Sequence, residues 1–238
     1  MTPFRILCAA ALFLASGVMA DEAAIRKNLP ERLPSFPKID EVTKTPIPGL
    51  WEVRVGTEVL YTDESGAYLI EGQIIDTRSQ TNLTEERIGK LTAIDFATLP
   101  LKDAIVWKQG TGSRKLVVFA DPNCGYCKRF ERDLNNVKDV TVYTFLYPVL
   151  GPDSIEKSRA IWCSKEQTKV WRSWMIEGTT IPRAMGQCDT SALERNTALG
   201  RKHKINGTPA LVFENGRRVP GAMTADQVEK LLVAAREK

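Results

Sequence analysis

The chain has 238 residues, of which 43% are hydrophobic and 26% are charged, with 16 glycines and 13 prolines. This composition is typical of a folded globular protein and excludes a disordered chain, a collagen and a coiled coil. The formal net charge of +4 is too small to require an acidic partner.

The first 20 residues have the pattern of a secretory signal peptide. Arg5 precedes an apolar run that ends in Val18-Met19-Ala20, a small-x-small sequence. The alternative is a membrane anchor, but the apolar run of about 13 residues is shorter than the roughly 20 that cross a bilayer. We therefore predict that residues 1–20 are a cleaved signal peptide and that the mature chain is exported.

Residues 21–81 predict a small α+β module. A helix is expected over residues 23–29, ending at Pro30, because a proline inside a helix removes a hydrogen bond and clashes with the preceding turn. The candidate strands alternate in polarity or flank a turn: 51–55, 58–62, 67–71 and 73–76. The edge strand of so small a sheet is a surface for pairing with a second chain.

Residues 82–98 predict a linker helix. Apolar side chains recur with a period of about 3.6 residues between Leu83 and Phe96, and acidic side chains lie at the start of the segment. Pro100 ends it, so the linker is assigned residues 82–100.

Residues 101–238 alternate between strands and helices, which predicts an α/β domain. In the segment 115–120, every residue after Lys115 is apolar, as in a strand covered on both faces, and the segment leads into a helix that begins near Cys124. A second strand at 140–146 completes a strand-helix-strand unit. The remaining candidates are a long helical region around 155–177 and a shorter one at 191–202, a hairpin of 208–214 with 217–219 around Asn215-Gly216, and a last helix opened by the capping box Thr224–Gln227.

The sequence Cys124-Gly125-Tyr126-Cys127 lies where a buried strand passes into a helix. The free N–H groups and the dipole of a helix N-terminus favour an anion, so the pKa of the Cys124 thiol is expected to fall from ~8.5 into the range of roughly 3.5 to 7.5. The cations Lys128 and Arg129 are expected to lower it further. Cys127, one turn later, is expected to be more enclosed and to act as the resolving thiol.

A cysteine pair at this spacing has two other common functions. A structural zinc site needs two more ligands at short spacing, and the chain offers His203 and two widely separated cysteines, so no metal is predicted. An inert structural bridge predicts a pair of buried loops and not a strand-to-helix corner. No cofactor is predicted either.

The other residues of interest point to structural roles. Cys163 and Cys188 are predicted to be a structural pair and not a second redox couple, because nothing beside them would activate a thiol. Thr208-Pro209 opens an apolar strand, where a cis peptide bond and a plain strand-edge proline are both compatible with the sequence. His203 is expected at a solvated helix end, and its basic neighbours are too few to predict nucleic-acid binding.

Several stretches together resemble the DsbC family of periplasmic thiol:disulfide interchange proteins, over essentially the whole mature chain. The stretches are Cys124-Gly125-Tyr126-Cys127, Ala160-Ile161-Trp162-Cys163, Ala198-Leu199-Gly200, Gly207-Thr208-Pro209-Ala210 and Val219-Pro220-Gly221. The order of the segments is also similar: a signal peptide, a cysteine-free sheet module, a linker helix, and then the strand, Cys-x-x-Cys and helix.

The resemblance implies a cystatin-like dimerisation domain (residues 21–81) followed by a thioredoxin-fold catalytic domain with a helical insertion (101–238). It also implies that Cys163 and Cys188 are bridged, that Pro209 is cis beside the active-site sulfurs, and that the Thr208 backbone contacts substrate. The implied partners are a second copy of the chain, misfolded exported proteins and a DsbD-type membrane reductase. Nucleic acid is not among them.

The predicted function is therefore isomerisation and reduction of incorrect disulfides in the periplasm. Three alternatives were weighed: a DsbG-like reductase of sulfenylated cysteines, a DsbA-like oxidant, and a holdase chaperone whose thiols are incidental. The Gly after Cys124 disfavours the first, and the extra N-terminal module disfavours the second.

Overall fold

The computed structural model describes residues 16–183 and 187–236, with side chains from residue 21 onward. The chain divides between Leu91 and Thr92 into two compact units. Residues 1–15 of the predicted signal peptide lie outside the described residues. None of the helices in the described part of the chain is long and apolar enough to cross a membrane.

The helices and strands are numbered in chain order. They are α1 (Ser16–Arg32), β1 (Glu41–Lys44), β2 (Leu50–Val55), β3 (Glu58–Asp63), β4 (Leu69–Ile70), β5 (Ile75–Asp76), β6 (Thr81–Asn82), α2 (Leu83–Leu91), β7 (Ile105–Gln109), β8 (Arg114–Ala120), α3 (Gly125–Leu134), β9 (Val140–Leu146), α4 (Pro152–Trp162), α5 (Gln167–Arg172), α6 (Ser191–Lys202), β10 (Ala210–Phe213), β11 (Arg218–Pro220) and α7 (Ala225–Ala234).

The first unit is a four-stranded antiparallel sheet in the order β1-β2-β3-β4, with α1 packed against it. The predicted strands at 51–55 and 58–62 are confirmed, and alternate residues of β2, Trp51 and Val53, enter the core with Ile25 and Leu29 of α1. The predicted pairing of 58–62 with 67–71 is confirmed in a shorter form, because β4 has only two residues. The predicted strand at 73–76 pairs with β6 in a separate ribbon.

Helix α1 does not end at Pro30, so this prediction was wrong. The helix continues to Arg32 and contains the proline in its last turn. Contacts with the turn between β3 and β4 hold this end: Asn28 Nδ2 donates to the Ser65 carbonyl at 2.8 Å, and Arg32 donates to the Gly66 carbonyl at 2.7 Å. Tertiary hydrogen bonds thus offset the bond that the proline lacks.

The predicted linker helix over 82–98 is also wrong in its second half. Helix α2 ends at Leu91 and belongs to the first unit, where Arg87 forms ion pairs with Glu41 at 2.6 Å and with Glu52 at 2.8 Å. The next apolar residue of the periodic pattern, Ile94, is buried in the second unit, and its N–H donates to the Gly216 carbonyl at 2.9 Å. A helical pattern in the sequence therefore spans two separate packing environments.

The second unit is a five-stranded sheet in the order β11-β10-β8-β9-β7. β8 and β9 are parallel and joined through α3, which confirms the predicted strand-helix-strand unit, and the other pairs are antiparallel. Residues 116–120 of the central strand β8 are all buried, as predicted, because side chains cover both faces of the sheet. This buried strand fixes the position from which the Cys-x-x-Cys turn departs.

The predicted helical region over 155–177 is confirmed, and it consists of separate pieces. α4 ends at Trp162, α5 begins at Gln167, and a π-helical turn over Ser173–Glu177 follows. Helix α6 has the predicted bounds, and its Gly200 lies so close to the Tyr147 ring that a Cβ there would come within 2.4 Å of it. The hairpin around Asn215-Gly216 and the capping box of α7 are confirmed.

Candidate active site

The turn that leads from β8 into α3 is organised by a buried acid, Asp121. Its carboxyl group accepts hydrogen bonds from the Asn123 N–H at 2.8 Å and from the Ser154 hydroxyl at 2.7 Å. The N–H groups of Val149 and Leu150 donate to its other oxygen at 2.8 and 3.0 Å. One side chain therefore ties the start of the Cys-x-x-Cys turn to the loop after β9 and to α4.

Cys124 is the N-cap residue of α3. Its sulfur accepts a hydrogen bond from the N–H of Cys127 at 3.3 Å, which occupies one of the free donors at the helix start. On its other side, the Cys124 sulfur lies 3.2 Å from the Thr208 carbonyl oxygen, to which it donates only in the protonated form. The Thr208–Pro209 peptide bond is cis, and both cysteines of the pair are free thiols.

These contacts and the burial of the pair give the two thiols different pKa values. Hydrogen bonding from the Cys127 thiol, and then from the Thr208 side chain and the N–H groups of the first helical turn, lowers the pKa of Cys124 to about 6 against the opposing effect of burial. Burial raises the pKa of Cys127 above its usual value, and the hydrogen bond that it donates to Cys124 raises it further. At neutral pH the pair therefore holds one proton, and it lies on Cys127.

The surroundings of the pair agree with the sequence-based expectation in one respect and differ in another. Cys127 is the more enclosed thiol, with 1% of its surface exposed, while Cys124 retains 5%. The adjacent Lys128 ammonium instead lies 4.1 Å from the centre of the Trp174 ring, and the largest effects that lower the pKa of Cys124 are hydrogen bonds. The acidity of Cys124 thus comes from hydrogen bonds.

The residues beside Cys124 form a surface that a polypeptide can contact. Tyr126 is 69% exposed. Together with Arg129, Thr208 and Met223 it lines a cavity of about 390 Å³ on the side of the turn where the Thr208 carbonyl meets the Cys124 sulfur. When a substrate disulfide approaches Cys124, the substrate residues beside that disulfide would therefore contact the apolar and cationic side chains of this cavity.

The other predicted site residues lie apart from this pair. Cys163 and Cys188 form a disulfide with a Cα–Cα distance of 5.7 Å, within the usual range. His203 is at the C-terminal end of α6, where burial and the nearby Lys202 lower its pKa. Among the described residues, no three His, Cys, Asp or Glu side chains are grouped as metal ligands.

Two buried acids near the pair escaped the sequence analysis. Asp121 had a detectable signal, since Asp-Pro-Asn before a helix is typical of a turn in which the acid caps backbone N–H groups. Glu131 had none, because a glutamate in a helix rich in charged residues is expected to face solvent. It is instead 1% exposed.

Comparisons with known proteins agree with this geometry. Residues 101–236 match the family model of a thioredoxin-like domain, and residues 16–85 match that of the N-terminal domain of disulfide bond isomerase proteins. The probable thiol:disulfide interchange protein DsbC of Bordetella parapertussis is 44% identical, over 88% of this chain and 73% of the relative. The thiol:disulfide interchange protein DsbC of Escherichia coli K12 is 30% identical, over 90% and 88%.

A solved structure also matches part of the chain. The crystal structure of a disulfide interchange protein from Neisseria gonorrhoeae superposes with a TM-score of 0.55 at 37% identity, covering 59% of this chain and all of that one. Three findings establish the family. They are the thioredoxin-like domain with a Cys-x-x-Cys pair at a helix start, the match to the N-terminal isomerase domain, and these relatives. The chain belongs to the DsbC family of thiol:disulfide interchange proteins.

Proposed function

We propose that Cys124 is the nucleophile and Cys127 the resolving thiol of a disulfide isomerase. The observation that carries the proposal is the unequal pair, in which the pKa of Cys124 is lowered to about 6 and that of Cys127 is raised. A thiolate attacks disulfides and a thiol does not, so attack begins at Cys124. The exposed Tyr126 and the cavity beside it support access by a polypeptide.

The reaction begins when the Cys124 thiolate attacks an incorrect disulfide. A mixed disulfide forms between Cys124 and one substrate sulfur, while the other substrate sulfur leaves as a thiolate that can attack a second disulfide in the same molecule. A substrate thiolate finally attacks the sulfur that is bound to Cys124, which forms the new substrate disulfide and releases the Cys124 thiolate. When rearrangement stalls, Cys127 attacks the mixed disulfide, so the substrate is reduced and the pair leaves as a disulfide.

The wider setting of this chemistry is part of the same proposal. The signal-like residues 1–20 support export to the periplasm, where a DsbD-type membrane enzyme is proposed to keep Cys124 and Cys127 reduced. The first unit is proposed to join two copies of the chain into a homodimer that holds misfolded exported proteins. The bridge between Cys163 and Cys188 is proposed to be structural.

Refolding of a scrambled multi-disulfide protein tests the catalytic assignment. Wild-type protein is expected to restore the activity of the substrate, and Cys124→Ser is expected to restore none. Cys127→Ser is the matched control, because it keeps the nucleophile, so it should retain isomerisation, lose net reduction and accumulate a mixed disulfide. Equal recovery with wild type and Cys124→Ser would show a holdase whose thiols take no part.

The resting state and the assembly are measured separately. Two free thiols per chain in protein freshly purified from the periplasm are expected for an isomerase with one structural bridge, whereas none would indicate an oxidant. Sedimentation of the mature protein is expected to give twice the mass of one chain. A monomer at micromolar concentration would contradict the homodimer.

A further inference from the structure

Glu131 is a buried acid that the proposed reaction has so far left without a role. It lies on α3, on the same buried face as Cys127, Phe130 and Leu134, and it is 1% exposed. The indole N–H of Trp171 donates to its Oε1 at 2.7 Å. Its Oε2 is buried and has no hydrogen-bond partner among the residues that the structure describes.

The electrostatic surroundings leave this carboxyl group ready to exchange a proton near neutral pH. Burial raises the pKa of Glu131 to about 7, and the Trp171 hydrogen bond and the charge of Arg172 limit the rise. Arg172, at the end of the neighbouring α5, is the charged group that acts on Glu131. On the buried face of α3 itself, the other titratable group is the Cys127 thiol.

The position of Glu131 on the helix relates it to Cys127. Residues four apart lie one turn from each other on the same face, with Cβ atoms about 5–6 Å apart. Side chains of a helix lean towards its N-terminus, so the carboxyl group of residue 131 extends back over the turn that holds residue 127. Both side chains are buried, with Cys127 1% exposed, which keeps bulk water from taking the proton.

Cys127 needs a proton acceptor at the resolving step. It is a thiol at neutral pH, because burial and its hydrogen bond to Cys124 raise its pKa. Once Cys124 is held in a mixed disulfide it carries no charge, yet the sulfur of Cys127 must still become an anion in order to attack. Among the buried residues of α3, Glu131 is the one that carries a carboxyl group.

We propose that Glu131 takes the proton of the Cys127 thiol, directly or through one water molecule, when Cys127 resolves the mixed disulfide. The Cys127 thiolate then forms a bond to the Cys124 sulfur, the bond between Cys124 and the substrate sulfur breaks, and its electron pair leaves with the substrate thiolate. The protein pair is oxidised by two electrons and the substrate disulfide is reduced by two. This assignment rests on the proposed function.

A chromogenic aromatic disulfide separates the two steps, because attack by Cys124 and resolution by Cys127 each release one coloured thiolate. Stopped-flow measurements are made across pH 5 to 9 on full-length mature protein. Glu131→Gln keeps the shape of the side chain and an oxygen for Trp171 but cannot take the proton. It is expected to slow the second release at least tenfold at pH 7 and to leave the first within twofold. Asp133→Asn on the same helix is the matched control.

A second variant, Trp171→Phe, tests the inference even if Glu131→Gln does not fold. In the wild type, the rate of the second release is expected to rise with a midpoint near pH 7, and Glu131→Gln should lack this inflection. Trp171→Phe removes the donor that stabilises the carboxylate, so it should move the midpoint to higher pH by at least half a unit. A merely structural role of Glu131 would move neither.

The outcomes separate this inference from the proposed function. If wild-type protein releases no coloured thiolate, or Cys124→Ser releases it at the wild-type rate, the proposed function and this inference both fail. If both releases occur in the wild type, but Glu131→Gln matches it within twofold at every pH or Trp171→Phe leaves the midpoint unchanged, the inference about Glu131 alone is overturned.

Discussion

Replacing Glu131 by glutamine should change how the stability of the second unit depends on pH. The pKa of this carboxyl group is raised from 4.5 to about 7 in the folded protein, mainly by burial. The folded state therefore holds the proton more tightly than the unfolded state. The stability that this difference supplies is present in full below pH 4.5 and is lost as the pH rises through 7.

The size of the effect follows from the shift in pKa. One pKa unit corresponds to about 1.4 kcal/mol, so the wild type should lose about 3 kcal/mol of unfolding free energy through Glu131 between pH 4.5 and pH 8. The glutamine of the Glu131→Gln variant has no proton to lose in this range, so its own burial cost of about 1–3 kcal/mol does not vary with pH. From pH 4.5 to pH 8, the unfolding free energy of the variant should therefore rise by about 3 kcal/mol relative to that of the wild type.

Urea unfolding at pH 4.5 and at pH 8 measures this gain. Both proteins are compared with Cys124 and Cys127 oxidised to a disulfide, so that neither thiol titrates, and tryptophan fluorescence is the signal. Four of the five tryptophans lie in the second unit, so the signal reports mainly on that unit. Asp133→Asn is the control and should stay parallel to the wild type. A relative gain below about 1 kcal/mol would refute the electrostatic reasoning.

Three further outcomes are expected. Alkylation of Cys124 in the reduced protein, followed by mass spectrometry, should show a midpoint near pH 6, and a midpoint above 8 would contradict the hydrogen-bonding argument. In thermal melts, Gly200→Ala should lower the unfolding free energy by about 1–3 kcal/mol, because its methyl group would overlap the Tyr147 ring. Gly125→Ala is the control and should be neutral, because nothing lies close to its added methyl group. Replacing both Cys163 and Cys188 by serine should cost up to about 3.5 kcal/mol in urea unfolding, and an unchanged midpoint would exclude a stabilising role.

The parts of the fold that the sequence predicted are those in which local and tertiary preferences agree. The bounds of α6 and the capping box of α7 follow from local signals, and the run 116–120 is apolar because both faces of β8 are covered. The same agreement placed Cys124 at the start of α3, so the thiol expected to be acidic was found from the sequence alone.

The failures are places where distant contacts overrule a local pattern. Pro30 stays inside α1 because Asn28 and Arg32 hydrogen-bond to a turn more than 30 residues away. Ile94 continues the helical period of α2 but is drawn into the core of the second unit. Glu131 was missed for the same reason, since only the packing of the insertion brings Trp171 onto it.

The hydrogen bonds of Asp121 limit which segments can be exchanged between related proteins. Its carboxyl group accepts hydrogen bonds from the Cys-x-x-Cys turn, from two backbone amides after β9 and from Ser154 at the start of α4. The insertion is therefore not an independent cassette. A chimera that transplants α4 to α6 would preserve the shape of the reactive turn only when the donor sequence also supplies a hydroxyl at position 154 and the same path of the preceding loop.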